Sequence, residues 1–245
     1  MQVSDFKDKH RGEMAFILGG GPSLHYVDVD LIRDHVCITV NSAIKKYITC
    51  NYFVSDDQDI MSWDYYESHV KRTYFHTNFF YDKKFEGKCD DIDKKVMYSH
   101  KSWYSPEDKS YSFDGLKLTK DEPIIGARTS MGSAVHLAFL MGCDPIVLLG
   151  NDCQLSKEGL RYYWQFPGEQ KQFRVKDRKF THQTQNRGFD KDSFVEYWNY
   201  FAKVNKDSDV NIIDASESCL DCFPKMSIRE VLDNYKKEKR SVKES

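Results

Sequence analysis

The sequence predicts an α/β, Rossmann-like fold in which a mostly parallel sheet is flanked by helices. Short apolar runs end in glycine or in polar side chains, as buried parallel strands do. Segments with apolar residues three and four positions apart follow several of these runs and are typical of amphipathic helices. Because strands alternate with helices, a parallel sheet with right-handed crossovers is expected. The 245 residues are enough for a single domain, 1–245, with an irregular inserted lid region.

The predicted elements follow from these patterns. Five buried strands are predicted at 14–18, 36–40, 52–55, 146–150 and 210–214. Helices are predicted after the first strand, from Thr129 to Gly142, over 193–204 and from Ser227 onward. Thr129 and Ser130 can cap their helix, because hydroxyl oxygens accept hydrogen bonds from the free N–H groups of a first turn. Over about 83–122 the residues follow no clear helical or strand periodicity, which predicts the irregular insertion. A charged tail is predicted over about 236–245.

Composition narrows the class of protein. The 36 basic and 38 acidic side chains leave a net charge of −2, which disfavours nucleic-acid binding through a broad basic surface. The N-terminal region has no apolar run long enough for a signal sequence or a transmembrane segment, so a cytoplasmic protein is expected. The seven scattered cysteines favour reduced thiols, and Cys219 and Cys222 lack a second ligand pair for zinc. The sequence is compatible with a homo-oligomer.

A glycine-rich loop follows the first predicted strand. It comprises Gly19, Gly20, Gly21, Pro22 and Ser23. Backbone N–H groups of such a loop can approach phosphate oxygens without an intervening Cβ, and the start of the next helix adds partial positive charge. The loop matches neither the dinucleotide fingerprint nor the P-loop. It is therefore either a phosphate-binding loop or only a tight turn.

Polar side chains follow the second, third and fourth predicted strands. They are Asn41, Asp56, Asp57, Asp59, Asn151 and Asp152. Ligands of open α/β sheets bind beyond the carboxyl ends of the strands, where amides can recognise a base or ribose and carboxylates can bind ribose hydroxyls or Mg²⁺. Each of these residues could instead only begin a turn.

Two tyrosines and a histidine lie downstream of the fourth predicted strand. His182 could accept a proton from an attacking hydroxyl, and Tyr162 or Tyr163 could stabilise a departing phosphate. An exposed loop histidine without a catalytic role is the alternative. His136 or one of the aspartates after the third predicted strand is the next candidate for the base.

Four short motifs together resemble a known group of transferases. They are 19–24 (GGGPSL), 40–42 (VNS), 128–132 (RTSMG) and 149–152 (LGND). The chain resembles the bacterial sialyltransferases that use CMP-linked donors over roughly 14–215. It also resembles the related superfamily of Maf-type flagellin glycosyltransferases and hydroxymethylpterin diphosphokinase. The resemblance implies the same fold and a nucleotide site at the strand ends.

The resemblance also implies roles for individual residues. Gly21, Asn41, Thr129, Ser130 and Asp152 match family positions that surround the cytidine nucleotide. The predicted nucleotide site also includes Gly19, Gly20, Pro22, Ser23, Asp56, Gly132 and Asn151. Tyr162 or Tyr163 falls at the distance of the tyrosine that assists the leaving phosphate, and His182 at that of the general base.

The sequence departs from the sialyltransferase pattern at two positions. Asp56 replaces an asparagine, and Gln154 stands where the family has a second tyrosine. The acidic residues at 56–59 favour Mg²⁺ chemistry, because paired carboxylates hold a hard cation. Sugar transfer would require no metal, whereas a magnesium-dependent reaction would use Asp56 and Asp152 as ligands.

Three functions therefore remain open. The first is a glycosyltransferase that moves a sugar, such as a sialic-acid-like nonulosonic acid, from a CMP-linked donor to a hydroxyl of a small molecule or glycan. The second is a magnesium-dependent diphosphokinase. The third is a non-catalytic nucleotide-binding module. No tightly bound cofactor is expected, since the nucleotide would be a substrate.

Overall fold

The computed structural model describes residues 1–47, 49–56, 62–70, 78–82, 95–102, 104–105, 110–111, 116–126, 129–171 and 191–244. In chain order the strands are β1 Ala15–Leu18, β2 Val36–Val40, β3 Tyr52–Ser55, β4 Asn78–Asp82, β5 Lys95–Tyr98, β6 His100–Ser102, β7 Tyr104–Ser105, β8 Ser110–Tyr111, β9 Ile124–Gly126, β10 Ile146–Leu149 and β11 Ile212–Asp214. The α-helices are α1 Ser130–Leu140, α2 Lys191–Val204 and α3 Ile228–Glu244.

Short helical turns complete the structure between these elements. The 3-10 helices are Val3–Phe6, Pro22–Tyr26, Val29–Ile32, Asn41–Lys45 and Tyr163–Gln165, and Tyr66–Val70 is a π-helix.

A seven-stranded sheet in the order β11-β10-β1-β2-β3-β4-β5 forms the centre of the fold. Every neighbouring pair is parallel. The α/β, Rossmann-like prediction and all five predicted strands are confirmed, with ends that differ by up to two residues. β4 and β5 were not predicted, and β5 lies inside the interval 83–122. That interval also contributes β6, which pairs with β9, and the antiparallel pair β7–β8, while its remaining parts lie outside the described residues.

Two apolar clusters cover the two faces of this sheet. Successive strand side chains point to opposite faces, so Ile17, Ile38 and Leu148 belong to one cluster, together with residues of α1 and α2. Phe16 and Leu149 belong to the other, together with residues of α3. Burial on both faces explains why the strands are almost uninterrupted apolar runs.

The helix boundaries follow the capping residues. Thr129 Oγ1 accepts a hydrogen bond from Met131 N at 3.3 Å at the start of α1. Before α3, Ser227 N donates to Glu230 Oε2 at 2.7 Å and Glu230 N donates to Ser227 Oγ at 3.3 Å, a reciprocal capping box. The last helix, α3, continues to Glu244 and so includes most of the predicted charged tail. Among the described helices none is long and apolar enough to cross a bilayer.

The sheet has a topological switch point between β1 and β10. From β1 the chain builds β2 to β5 on one side, and it returns later to place β10 on the other. After β1 the chain continues to β2 on one side of this point, and after β10 it continues to β11 on the other side. Ligands of open α/β folds bind in this position.

Candidate functional site

The glycine loop packs against the loop after β10. Gly19 N donates to Leu149 O and Gly21 N donates to Gly150 O, each at 2.8 Å. A Cβ on Gly19 or Gly21 would lie 2.7 or 2.6 Å from Gly150 O. Gly19 and Gly21 therefore allow the backbone of the glycine loop to lie close to the backbone of the loop after β10, within the protein itself. At Gly20 a Cβ would meet only side chains, at 3.2 Å or more.

Asp152 caps the short helix that the glycine loop enters. Its carboxylate accepts from Ser23 N at 2.6 Å and also from the Ser23 hydroxyl. The N–H groups of Gly19, Gly21 and Ser23 thus all donate to oxygens of the protein. A phosphate at this loop would have to approach Gly20 and the neighbouring side chains.

Burial shifts the pKa of Asp152. The residue is only 3% exposed, and burial raises the pKa of its carboxyl to about 6, although the bonds from Ser23 oppose the shift. The nearby charges of Asp214 and Glu217 act in the same direction as burial. Burial likewise raises the pKa of Asp214 at the end of β11. The charge of Asp152 therefore changes close to neutral pH.

Two asparagines at strand ends carry buried atoms that the protein does not satisfy. Asn41 Oδ1 and Asn151 Nδ2 have no hydrogen-bond partner among the described residues. Asn41 follows β2 with a left-handed φ of 50°, and Asn151 follows β10. Because β2 and β10 flank β1, the two amides lie on either side of the glycine loop. An unpaired buried polar atom costs about 1–3 kcal/mol, so this pair is suited to a ligand with a donor and an acceptor.

Two adjacent cavities lie at the switch point. The smaller one is about 140 Å³ and is lined by Gly20, Gly21, Pro22, Thr129, Met131, Gly150, Asn151, Asp152, Cys153, Gln154, Arg161, Tyr162 and Phe194. The larger one is about 560 Å³ and is lined by Pro22, Ser23, Tyr26, Asp152, Gln154, Leu155, Ser156, Lys157, Glu158 and Glu217. Both include Pro22, Asp152 and Gln154, which form the boundary between them.

The two candidate tyrosines have different environments. Tyr163 is buried, its hydroxyl donates to Ser42 O at 2.7 Å, and burial raises its pKa. Tyr162 lines the smaller cavity and stacks on Trp164 with ring centroids 5.0 Å apart. Tyr162 is thus the tyrosine that can contact a ligand, whereas Tyr163 supports the loop after β2.

Asp56 belongs to a separate network beside α1. Its carboxylate accepts from the hydroxyls of Tyr98 and Ser133, and its N–H donates to Ser130 Oγ at 3.1 Å. β3 and β10 are three strands apart, which separates Asp56 from Asp152 by about 14 Å at the sheet. The structure therefore does not bring the two carboxylates together around one Mg²⁺ ion. Among the residues described, no group of three or more potential ligands has a metal-binding arrangement.

The other predicted site residues divide between the cavity and the protein interior. Thr129 lines the smaller cavity, whereas Gly132 is buried in the first turn of α1, where its N–H donates to Thr129 O at 3.0 Å. His182, Asp57 and Asp59 lie outside the described residues.

His136, the second candidate for the base, is a structural residue. It is fully buried in α1, and its Nδ1 accepts from Ile125 N at 2.9 Å. The opposite nitrogen, Nε2, then carries the proton and donates to Thr119 O at 2.8 Å. With both ring nitrogens engaged, His136 has no free lone pair for an acceptor hydroxyl.

Several residues of the smaller cavity were not predicted from the sequence. Arg161 brings a cationic side chain to it, and Met131 and Phe194 bring apolar ones. Arg161 directly precedes the two tyrosines, so its position beside Tyr162 was an available signal. Met131 and Phe194 look like ordinary helix residues and could not have been distinguished from core positions.

The fold and the site define an α/β protein with a polar cleft at the switch point of a parallel sheet. No protein-family model matches the sequence, and no curated protein does. The fold is similar to the structure of a Maf glycosyltransferase from Magnetospirillum magneticum AMB-1, with a TM-score of 0.51 and 11% sequence identity. The similarity covers 98% of this chain but only 40% of that chain. The resemblance to the Maf-type group is thus confirmed for the fold, while the resemblance to sialyltransferases and the diphosphokinase stays a prediction.

Proposed function

We propose that this protein is a nucleotide-dependent glycosyltransferase that moves a sugar from a CMP-linked donor to a hydroxyl group. The fold shared with the Maf glycosyltransferase supports this class of reaction. The position of the cleft also supports it, since the carboxyl edge at a switch point is where α/β folds bind nucleotides.

The unpartnered amides of Asn41 and Asn151 carry the proposal; Asn151 lines the smaller cavity, whereas Asn41 is not among the described lining residues of either cavity. Asn41 Oδ1 can accept a hydrogen bond and Asn151 Nδ2 can donate one. They lie two strand spacings apart, about 10 Å, which is comparable to the length of a nucleoside. A cytidine presents an amino donor and a carbonyl acceptor on its base, together with ribose hydroxyls. Binding would satisfy both buried atoms, and this gain favours a nucleoside over an apolar ligand.

The phosphate of the donor is assigned to the side of the smaller cavity that contains Arg161. A guanidinium group pairs with phosphate oxygens in a bidentate geometry, and Gly20 offers close backbone approach. Tyr162 lines the same cavity, so its hydroxyl is the proposed donor to the leaving phosphate.

In the proposed reaction the acceptor oxygen attacks the anomeric carbon of the sugar. The bond from this carbon to the phosphate oxygen breaks, and CMP leaves with the bonding electrons. His182 is the proposed base that takes the hydroxyl proton. We prefer this reaction to phosphoryl transfer from a magnesium-bound triphosphate, because Asp56 and Asp152 lie on strands three apart.

A nucleotide panel tests the proposal. Thermal unfolding should be followed with CMP, CDP, ATP and GTP, each with and without Mg²⁺. A ligand at 100 times its Kd stabilises the native state by about 2.7 kcal/mol, which is readily detected. We expect CMP and CDP to raise the Tm without metal. A response only to ATP or GTP, and only with Mg²⁺, would instead support the diphosphokinase, and no response to any nucleotide would refute the nucleotide site.

A further inference from the structure

The larger cavity differs in chemistry from the smaller one that it adjoins. The smaller cavity contains Arg161 and the unpartnered amide of Asn151. Among its described lining residues, the larger contains the carboxylates of Asp152, Glu158 and Glu217 and one ammonium group, that of Lys157. Arg161 therefore favours the phosphate group of a donor on the smaller side, which Asp152 also lines and which at about 140 Å³ is smaller than a usual site for a whole small molecule. The larger side is left for a second substrate.

We infer that the larger cavity is the acceptor subsite and that it takes an uncharged saccharide. This inference rests on the proposed sugar transfer and adds the class of acceptor. The volume of about 560 Å³ lies within the range of about 300–1,000 Å³ that is usual for small-molecule sites. The excess of carboxylates repels acceptors that carry phosphate, sulfate or carboxylate groups.

Tyr26 provides the surface on which a sugar ring would stack. Its side chain is 62% exposed, the largest exposed aromatic surface among the described residues. The ring is nevertheless held in place, because it makes edge contacts with His25 at 4.8 Å and Phe166 at 5.6 Å between ring centroids. His25 and Phe166 themselves stack at 4.3 Å. A fixed, exposed aromatic ring suits the C–H face of a pyranose.

The other residues that line the larger cavity complement the hydroxyl-bearing edge of a pyranose ring. Leu155, 45% exposed, adds an apolar contact, and the Glu158 and Glu217 carboxylates can accept hydrogen bonds from sugar hydroxyls. Gln154 is anchored, since its Nε2 donates to Glu217 O at 2.7 Å. An amphipathic ligand with hydroxyls around an apolar face matches this combination.

The lining also favours a saccharide over an extended peptide. Peptides are commonly bound by hydrogen bonds to a free strand edge. Neither of the two edge strands of the main sheet, β5 and β11, contributes a residue to this cavity. The boundary residues Pro22, Asp152 and Gln154 are shared with the smaller cavity, so a hydroxyl of a bound saccharide can reach the donor.

Saccharide binding by the full chain tests the inference directly. Lactose and maltose serve as uncharged probes and glucose 6-phosphate as the anionic probe, each titrated by saturation-transfer NMR with and without CMP. We expect at least one disaccharide to bind more tightly than glucose 6-phosphate. Tyr26→Ala should raise the Kd of that disaccharide about tenfold, whereas Tyr26→Phe, which keeps the ring, should change it less than threefold. Leu31→Ala, at an exposed residue outside both cavities, is the control and should leave it unchanged.

A charge reversal tests the electrostatic part. Glu217→Lys should tighten binding of glucose 6-phosphate severalfold. Asp221→Lys makes the same change in net charge at a side chain that is 98% exposed and outside both cavities, and it should have no such effect. An equal effect of the two variants would contradict the proposed location.

A failure of the proposed donor can be distinguished from a failure of the proposed acceptor subsite, because CMP binding is measured independently by calorimetry. Failure of CMP to bind, with disaccharide binding that depends on Tyr26, would refute the proposed donor and leave the saccharide site standing. Binding of CMP with no disaccharide binding would overturn the acceptor subsite, as would equal disaccharide binding by Tyr26→Ala. Tighter binding of glucose 6-phosphate than of both disaccharides would also overturn it.

Discussion

The carboxyl edge of the sheet has two halves whose polar side chains do different things. At the end of β3, Asp56 accepts hydrogen bonds from Tyr98 and Ser133, and its backbone donates to Ser130. Around β1 and β10, Asn41 and Asn151 each keep a buried polar atom that has no partner in the described part of the chain. Polar residues at strand ends therefore differ in whether the protein itself already satisfies them.

Asp152 is intermediate between these two cases. Ser23 satisfies its carboxylate, as hydroxyls satisfy Asp56, yet Asp152 also lies on the boundary of both cavities. The same carboxylate thus holds the glycine loop in place and is within reach of bound substrates.

The largest expected effect tests whether the reaction occurs at the half of the sheet edge around β1 and β10 or at the half around β3. General-base catalysis contributes about 10²–10⁴ in rate, so His182→Ala should lower kcat by that factor while donor affinity stays within a few fold. Asp56→Asn is the comparison, because it alters the satisfied half and should leave kcat within about tenfold. A larger loss in Asp56→Asn than in His182→Ala would place the chemistry at β3.

The second prediction uses the pKa of Asp152. Its folded-state value of about 6 lies above the ordinary aspartate value of about 3.9. The stabilising contribution of the raised pKa is therefore fully present below about pH 4 and is lost as the pH rises through 6. Between pH 4 and 7 the wild type should lose about 2–3 kcal/mol of unfolding free energy relative to Asp152→Asn.

Urea unfolding at pH 4, 5, 6 and 7 measures this difference for Asp152→Asn. The surface variant Asp221→Asn is the control and should follow the wild type. A difference between Asp152→Asn and wild type that stays constant with pH would show that burial does not perturb this carboxyl.

The third prediction separates the structural from the ligand-binding glycines of the loop. A Cβ on Gly21 would lie 2.6 Å from Gly150 O, and overpacking of this kind costs about 1–3 kcal/mol, so Gly21→Ala should lower the Tm. At Gly20 the nearest contact of a Cβ is Ser42 Oγ at 3.2 Å. Gly20→Ala should therefore keep most of the stability while weakening nucleotide binding. Loss of stability in Gly20→Ala with normal binding would contradict this division.

The smallest expected effect concerns the unpartnered amide of Asn151. Asn151→Ala should weaken CMP binding by about three- to tenfold, the value of one hydrogen bond of about 0.5–1.5 kcal/mol. Because Nδ2 has no partner within the described structure, the unfolding free energy without ligand should fall by less than about 1 kcal/mol. Asn211→Ala, at an exposed position before β11, is the matched control for calorimetry. Unchanged CMP affinity in Asn151→Ala would remove the amide from the nucleotide site.

Most of the sheet could be predicted from the sequence, for a physical reason. β1, β2, β3, β10 and β11 are buried on both faces, so their apolar runs stand out against polar surroundings. β5 instead alternates buried and half-buried side chains at the edge of the sheet, within a segment rich in lysine and aspartate. Such a strand shows too weak a pattern to be distinguished from an irregular insertion.

The sequence by itself determined which residue types follow the strands, with glycines after β1 and polar residues after β2, β3 and β10. These residues had to meet at one edge of the sheet, because the carboxyl ends of parallel strands lie together. Only the tertiary structure decided which of them remain available. Long-range contacts commit Asp56 to Tyr98 and Ser133, and they commit Ser23 to Asp152, 129 residues away along the chain. Hydrogen bonds between distant segments leave no local pattern, so the sequence could name the candidates but could not show which are already satisfied by the fold.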